Sequence, residues 1–146
     1  MMPSVEGMRG TGSSWQAANQ MNDADAVAAA NRSFYEAFEA RDFDAMSDLW
    51  EHSDRAACTH PGWAILRGWG SISASFFALF RGDDQIQFIL TNERVEVAGD
   101  TAWVTVDENI LGGRVGGTVA ALNLFVRDDG GWQMVVHHAS PVAAQQ

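Results

Sequence analysis

The sequence predicts an α+β fold, three N-terminal helices packed on a mainly antiparallel sheet. Three observations predict it. Apolar residues recur at helical spacing up to about residue 80. They alternate in strand fashion after residue 85. Glycine-rich breaks at Ala98-Gly99-Asp100, Gly112-Gly113, Gly116-Gly117 and Asp128-Asp129-Gly130-Gly131 divide the second half into segments of strand length.

Taken in order, residues 1–21 hold Gly7, Gly10, Gly12, Ser13 and Ser14 with little periodicity and are expected to be a flexible leader. Trp15 is the exception in that stretch, a side chain expected to dock on the domain or on a partner. Residues 23–41 place Val27, Ala30, Phe34 and Phe38 on one helical face, with Asn22 or Asp23 as N-cap. Asp42 caps a second, short helix over 42–51 through Phe43, Met46, Leu49 and Trp50, so two helices meet at a tight corner. Residues 55–59 form a short strand that Pro61-Gly62 ends. Trp69, Ile72, Phe76, Phe77 and Phe80 mark a third helix over 68–80. Four strands follow as a meander over 85–97, 101–111, 118–127 and 132–140, giving one domain over 22–142 with a tail at 143–146.

Composition narrows the function classes. The 146 residues carry a formal net charge of −10, and the nine cationic side chains are all arginine and scattered. Nucleic acid and anionic membrane surfaces are therefore not expected partners, because phosphate binding needs concentrated positive charge. No apolar run reaches the ~20 residues of a membrane span. A single cysteine, Cys58, and no visible secretory signal lead to the expectation of a cytoplasmic protein. The glycine pairs make no phosphate loop.

The segment Cys58-Thr59-His60-Pro61-Gly62-Trp63 sets an imidazole at a strand end. Imidazole titrates near neutrality, as a general base must, and the plain alternative is a histidine satisfied by a backbone carbonyl. His137 and His138 are neighbours on a strand, so only one faces inward. His60 and His137 with Asp107 would be needed for a metal-binding set, and no metal is expected. Alternation alone turns Asp107 and Asn109 to solvent and buries Val104, Val106 and Ile110. Trp63, Trp69, Phe76, Phe77 and Phe80 line an aromatic cavity or are plain core. Cys58 is read as a buried thiol.

With its elements placed, the chain resembles a SnoaL-like member of the NTF2-like superfamily, which includes ketosteroid isomerase and polyketide cyclases. The carriers are Phe34-Tyr35-Glu36-Ala37-Phe38-Glu39-Ala40-Arg41-Asp42-Phe43, the Cys58–Trp63 segment, Gly99-Asp100-Thr101-Ala102-Trp103-Val104-Thr105, and Asp129-Gly130-Gly131-Trp132-Gln133-Met134-Val135-Val136-His137-His138-Ala139-Ser140-Pro141. The resemblance implies a cone with a strongly curved sheet, a pocket between sheet and helices, and a homodimer through the outer face of the sheet. It does not fix one function, since folds host many. Ketosteroid isomerase has an aspartate base just before a proline, which here is His60 before Pro61. Its tyrosine donor, counted back from the corner aspartate Asp42, falls on Phe34, beside Tyr35. Its protonated acid falls on Asn123. The base position stays titratable and the oxyanion hole is altered.

On this resemblance His60, Asn123 and Asp107 are the candidate catalytic residues, and Phe34, Trp63, Trp69, Asn109, Phe125 and His137 the candidate pocket. Its register turns Asp107 and Asn109 inward, leaves Glu108 on the outer face, and makes His137 the inward member of its pair. The expected function is binding of a small, largely apolar organic molecule, with cofactor-free proton transfer beside a carbonyl in the isomerase, cyclase or dehydratase manner. The alternative is a non-catalytic ligand-binding or association module.

Overall fold

The computed structural model describes residues 22–113 and 116–143. The leader over 1–21, Trp15 within it, and all of the tail but its first residue lie outside these residues. Helix α1 spans Asp23–Ala40. Asn22 caps it by accepting from the Asp25 backbone N–H at 2.8 Å, and Asp23 and Asp25 in the first turn suit the positive end of the helix dipole. Arg41 ends it in the left-handed region at φ 53°. The next residue, Asp42, caps α2 (Phe43–Leu49) by accepting from Ala45 N–H at 3.0 Å. Stop and start signals on adjacent residues make the corner.

Strands β1 (Ala57–Thr59) and β2 (Leu66–Arg67) flank a loop, and α3 (Trp69–Arg81) follows. The long strands are β3 (Gln87–Ala98), β4 (Thr101–Leu111), β5 (Gly117–Asp128) and β6 (Gly131–Pro141). The sheet order is β2-β1-β6-β5-β4-β3. The sheet has six strands where the alternation pattern marks a four-stranded meander. Two-residue β2 is too short to leave a periodic signal. β1 joins the edge by pairing parallel to β6, a long-range contact that no local pattern encodes.

Two register shifts re-aim side chains. One lies between Thr91 and Arg94 of β3, with Asn92 at φ 56°. The other lies where Leu124 pairs with Val136 but Phe125 pairs with Met134, so Val135 is the extra residue of β6. Met134 and Val135 are consequently both buried, and the alternation restarts with His137 in and His138 out.

The inner face of the sheet presents Ala102, Val104, Val106, Val119 and Phe125 to α1 and α3. Phe76 of α3 is fully buried at the centre, its ring 5.1–6.1 Å from those of Phe34, Phe38, Trp50, His60 and Phe80. The pairs with Phe34, Phe38 and His60 are edge-to-face, and such pairs add to the area they bury. Replacing Phe76 with Ala is expected to lower the unfolding free energy by about 4 kcal/mol, measured by urea denaturation.

Candidate functional site

A cavity of about 160 Å³ opens between α1, α3 and the inner face of the sheet. Its apolar wall comes from Phe34 and Phe38 of α1, Leu79 of α3, Phe88 of β3 and Ile110 of β4. His60, Glu108 and His137 supply the buried polar groups, each no more than 3% exposed. Asp84 and Trp63 also line it, and Trp63 is 45% exposed, which puts it at the mouth.

The turn after β1 sets His60. The Trp63 N–H donates to the His60 carbonyl at 2.8 Å, with Pro61 and then Gly62 at φ 83° between them. That pattern is a type II turn, whose third residue needs glycine. It returns the Trp63 ring edge-on to the imidazole at 4.9 Å. His60 Nε2 lies 2.9 Å from Ser75 Oγ, and Ser75 O–H donates to the Ile72 carbonyl at 2.7 Å. The partner of His60 is thus a helix side chain rather than a backbone carbonyl. Cys58 Sγ sits 4.0 Å from Nδ1 and 3.8 Å from Nε2, which is sulfur packed against the ring rather than a directed pair. Burial pushes the Cys58 thiol up to about 12, so it is no nucleophile at neutral pH.

Glu108 arises from β4, where inward positions alternate as Val104, Val106, Glu108 and Ile110. Its Oε2 accepts the Tyr35 O–H at 2.6 Å. Asn123 Nδ2 reaches the Tyr35 oxygen at 3.1 Å and Asn31 Oδ1 at 2.7 Å, and Asn123 Oδ1 faces His137 Nδ1 at 2.5 Å. Four elements therefore meet in one buried chain, His137–Asn123–Tyr35–Glu108. Burial raises the Glu108 carboxyl to about 7, against a lowering by the Tyr35 bond. Burial and then the charge of Glu108 raise the Tyr35 phenol. Burial lowers His60 to about 4. Burial, followed by His60 and His138, lowers His137 to about 3. Near neutral pH both inner imidazoles are uncharged and Glu108 titrates.

Of the residues expected at the site, His60, Phe34, Trp63 and His137 line the cavity, and Asn123 lies buried behind it. Four others stand elsewhere. Asp107 and Asn109 project from the outer face, where Asp107 accepts from Asn92 at 3.4 Å and Asn109 bonds Ile89, Thr91 and Thr118. Val104, Val106 and Ile110 take the inner face, and period two then turns 107 and 109 outward and Glu108 inward. Trp69 stacks on His52 at 4.4 Å, away from the cavity, because its place at the start of α3 points it to the α2–β1 connection. Phe125 is buried in the core at the end of the sheet beside Met134. Asp107 therefore completes no metal set with His60 and His137. Among the described residues no three His, Cys, Asp or Glu side chains group as a metal site. Glu108, Tyr35, Asn31 and Ser75 are the residues missed, and plain alternation along β4 is the signal that finds Glu108.

Glu108 links folding to pH. Its folded pKa lies above the unfolded value of 4.5, so its contribution is full below 4.5 and is lost as pH rises through about 7. His60 and His137 act oppositely, losing stability as pH falls below 6.5. The difference between wild type and Glu108→Gln isolates the first effect. Wild type is expected to lose up to about 3 kcal/mol relative to the variant between pH 4.5 and 7, read from urea midpoints.

A family profile for the SnoaL-like domain matches residues 27–145. The crystal structure of a candidate dehydratase from the NTF2-like family of Streptomyces avermitilis is 43% identical, with a TM-score of 0.78 over 84% of this chain and 97% of that one. A candidate calcium/calmodulin-dependent protein kinase type II association domain from Thiobacillus denitrificans is 35% identical, with a TM-score of 0.67 over 79% and 94% of the two chains. The F-box protein SKIP8 of Arabidopsis thaliana is 29% identical over 115 residues, 79% of this chain. The chain spans about half the length of that curated relative, 49%. With a matching profile across most of the domain and a shared three-helix, open-sheet architecture, this chain belongs to the SnoaL-like family of the NTF2-like superfamily.

Proposed function

We propose that the protein is a cofactor-independent acid–base enzyme that moves a proton beside the carbonyl of a small, largely apolar compound. The observation that carries this is Glu108, a carboxyl 2% exposed on the wall of an otherwise apolar cavity and titrating at about 7. A general base works best with a pKa near the operating pH. His60 and His137, held neutral and weakly basic, do not compete for the proton, so the base role expected of His60 passes to Glu108. Tyr35 orients the carboxylate through Oε2 and leaves Oε1 for substrate. The cavity, at about 160 Å³, is smaller than the roughly 300–1,000 Å³ of drug-sized pockets. It holds about one ring, since an apolar cavity of roughly this size takes up benzene. The likeness to the Streptomyces candidate dehydratase supports the same class of chemistry. A lone buried thiol fits a cytoplasmic setting.

The test is deuterium exchange at the carbon beside the carbonyl of diacetone alcohol, followed by NMR in heavy water. The protein is expected to accelerate exchange, with a rate that rises with pH through about 7. Glu108→Gln is expected to reduce it by about 10²-fold or more. Tyr35→Phe removes the bond that lowers the Glu108 pKa, so the pH limb moves upward. Wild-type exchange in the Glu108→Gln variant would exclude this residue as the base.

A second observation favours a homodimer through the outer face. Trp103, Leu124 and Val136 lie side by side across β4, β5 and β6 on that face, and Leu122, 39% exposed, follows Leu124 along β5. Such a contiguous apolar surface marks an interaction site. This is also the surface an association module would use, in line with the 35% identity to the Thiobacillus protein. Native mass spectrometry is expected to show a dimer for wild type and a monomer for Leu122→Glu; a monomeric wild type removes the reading.

A further inference from the structure

The hydrogen bonds around the cavity have a direction, and the direction is set by Glu108. A carboxylate only accepts, so the Tyr35 O–H points at Oε2. The Tyr35 oxygen then accepts from Asn123 Nδ2, which also donates to Asn31 Oδ1. With its amide nitrogen committed, Asn123 turns Oδ1 to His137, and Nδ1 must carry the ring hydrogen. His137 Nε2 is left as a bare lone pair. At His60 the sense is fixed from the other side. Ser75 spends its hydrogen on the Ile72 carbonyl, so its oxygen accepts from His60 Nε2–H. The His60 Nδ1 is bare, with only the Cys58 sulfur near it at 4.0 Å.

The buried polar side chains of the cavity wall have therefore spent their hydrogens on the protein. What they offer inward is acceptors. Glu108 Oε1 and His137 Nε2 have no partner among the described residues, yet neither is sealed from solvent. Among the described residues, the side-chain atoms that are both sealed and unpartnered are Asn31 Nδ2 and Trp50 Nε1. On residues 2–3% exposed, the space these two acceptors open onto is the cavity. Asp84 adds another carboxylate, no arginine among the described residues lines the wall, and the Trp63 indole N–H belongs to the exposed mouth.

We propose that the cavity selects a neutral, hydroxyl-bearing molecule of about one ring in size, held by O–H donation to Glu108 Oε1 or His137 Nε2. A ligand that only accepts hydrogen bonds leaves both acceptors unpaired in an apolar enclosure, which costs affinity. An anion meets carboxylates with no compensating cation among the described residues of the wall. The inference rests on the cavity and the base given under the proposed function, and it narrows the substrate to a hydroxylated carbonyl compound. The hydroxyl is then a leaving group. Glu108 takes the proton from the carbon beside the carbonyl, and that electron pair forms the C=C bond as the C–O bond breaks. The departing hydroxide takes the proton back from Glu108, one water leaves, and the carboxylate is regenerated.

Binding is measured at equilibrium by NMR titration of the wild-type protein at pH 8 with two probe pairs. Cyclohexanol and cyclohexanone are nearly the same size, but only the alcohol donates. Phenol and benzoate share a ring, but only phenol is neutral at that pH. Cyclohexanol is expected to bind at least about tenfold more tightly than cyclohexanone, and benzoate not to bind where phenol does. Glu108→Gln supplies an amide N–H, so the ketone is expected to gain on the alcohol in that variant. Equal or tighter binding of cyclohexanone, binding of benzoate, or failure of both phenol and cyclohexanol to bind in the millimolar range overturns the proposal. No turnover enters these readings. An alcohol preference alongside unaltered exchange in Glu108→Gln would sink the catalytic reading alone. Loss of the preference with exchange intact would sink this one alone.

Discussion

The bond between Tyr35 and Glu108 is the interaction on which the site depends. An isolated ionised carboxylate is costly to bury, and a protein has few ways to keep one. Here a single strong O–H donor from α1 meets it at 2.6 Å, and the phenol is in turn supported by Asn123. The donor is enough to hold the carboxylate in place and too little to stabilise its charge fully. A second donor or a nearby arginine would make Glu108 an ordinary structural acid. No donor would leave it permanently protonated.

The same bond ties the fold to the site. Tyr35 is on α1, Glu108 on β4, Asn123 on β5 and His137 on β6, so the hydrogen-bonded chain runs across the layer boundary between helix and sheet. Around it, aromatic rings from α1 and α3 exclude water and keep the local dielectric low. Low dielectric strengthens each paired contact and penalises each unpaired one. Asn31 Nδ2, buried without a partner among the described residues, shows that this network is not tuned for stability alone.

Much of the fold was legible in the sequence because its signals are local. Helical spacing marks α1, α2 and α3, the Arg41-Asp42 corner carries its own stop and start, and glycine turns bound β3 to β6. The parallel pairing of β1 with β6 was not legible, because its partners are separated by most of the chain. The site was legible only in part. His60 and His137 stand at positions that a turn motif and a strand phase announce. Glu108 was obscured by a register borrowed from resemblance, which turned Asp107 and Asn109 inward against the apolar run Val104, Val106 and Ile110. Period-two alternation is enforced by the cost of exposing those side chains, and that cost outweighs analogy. Asn31, Tyr35 and Ser75 carry no local signature, since each acquires its role only by meeting a residue from a distant segment.

The extra residue in β6 has a consequence for how this site tolerates change in its gene. Val135 loops out of the ladder by one position, while the residues on either side of it stay in register with adjacent residues of β5. Removing one codon there would close the bulge, leaving Met134 and Val136 opposite the adjacent Phe125 and Leu124 and His137 still opposite Asn123. The strand thus holds one residue of slack at this point, and an in-frame loss there would cost it a local bend while His137 stayed turned to the interior.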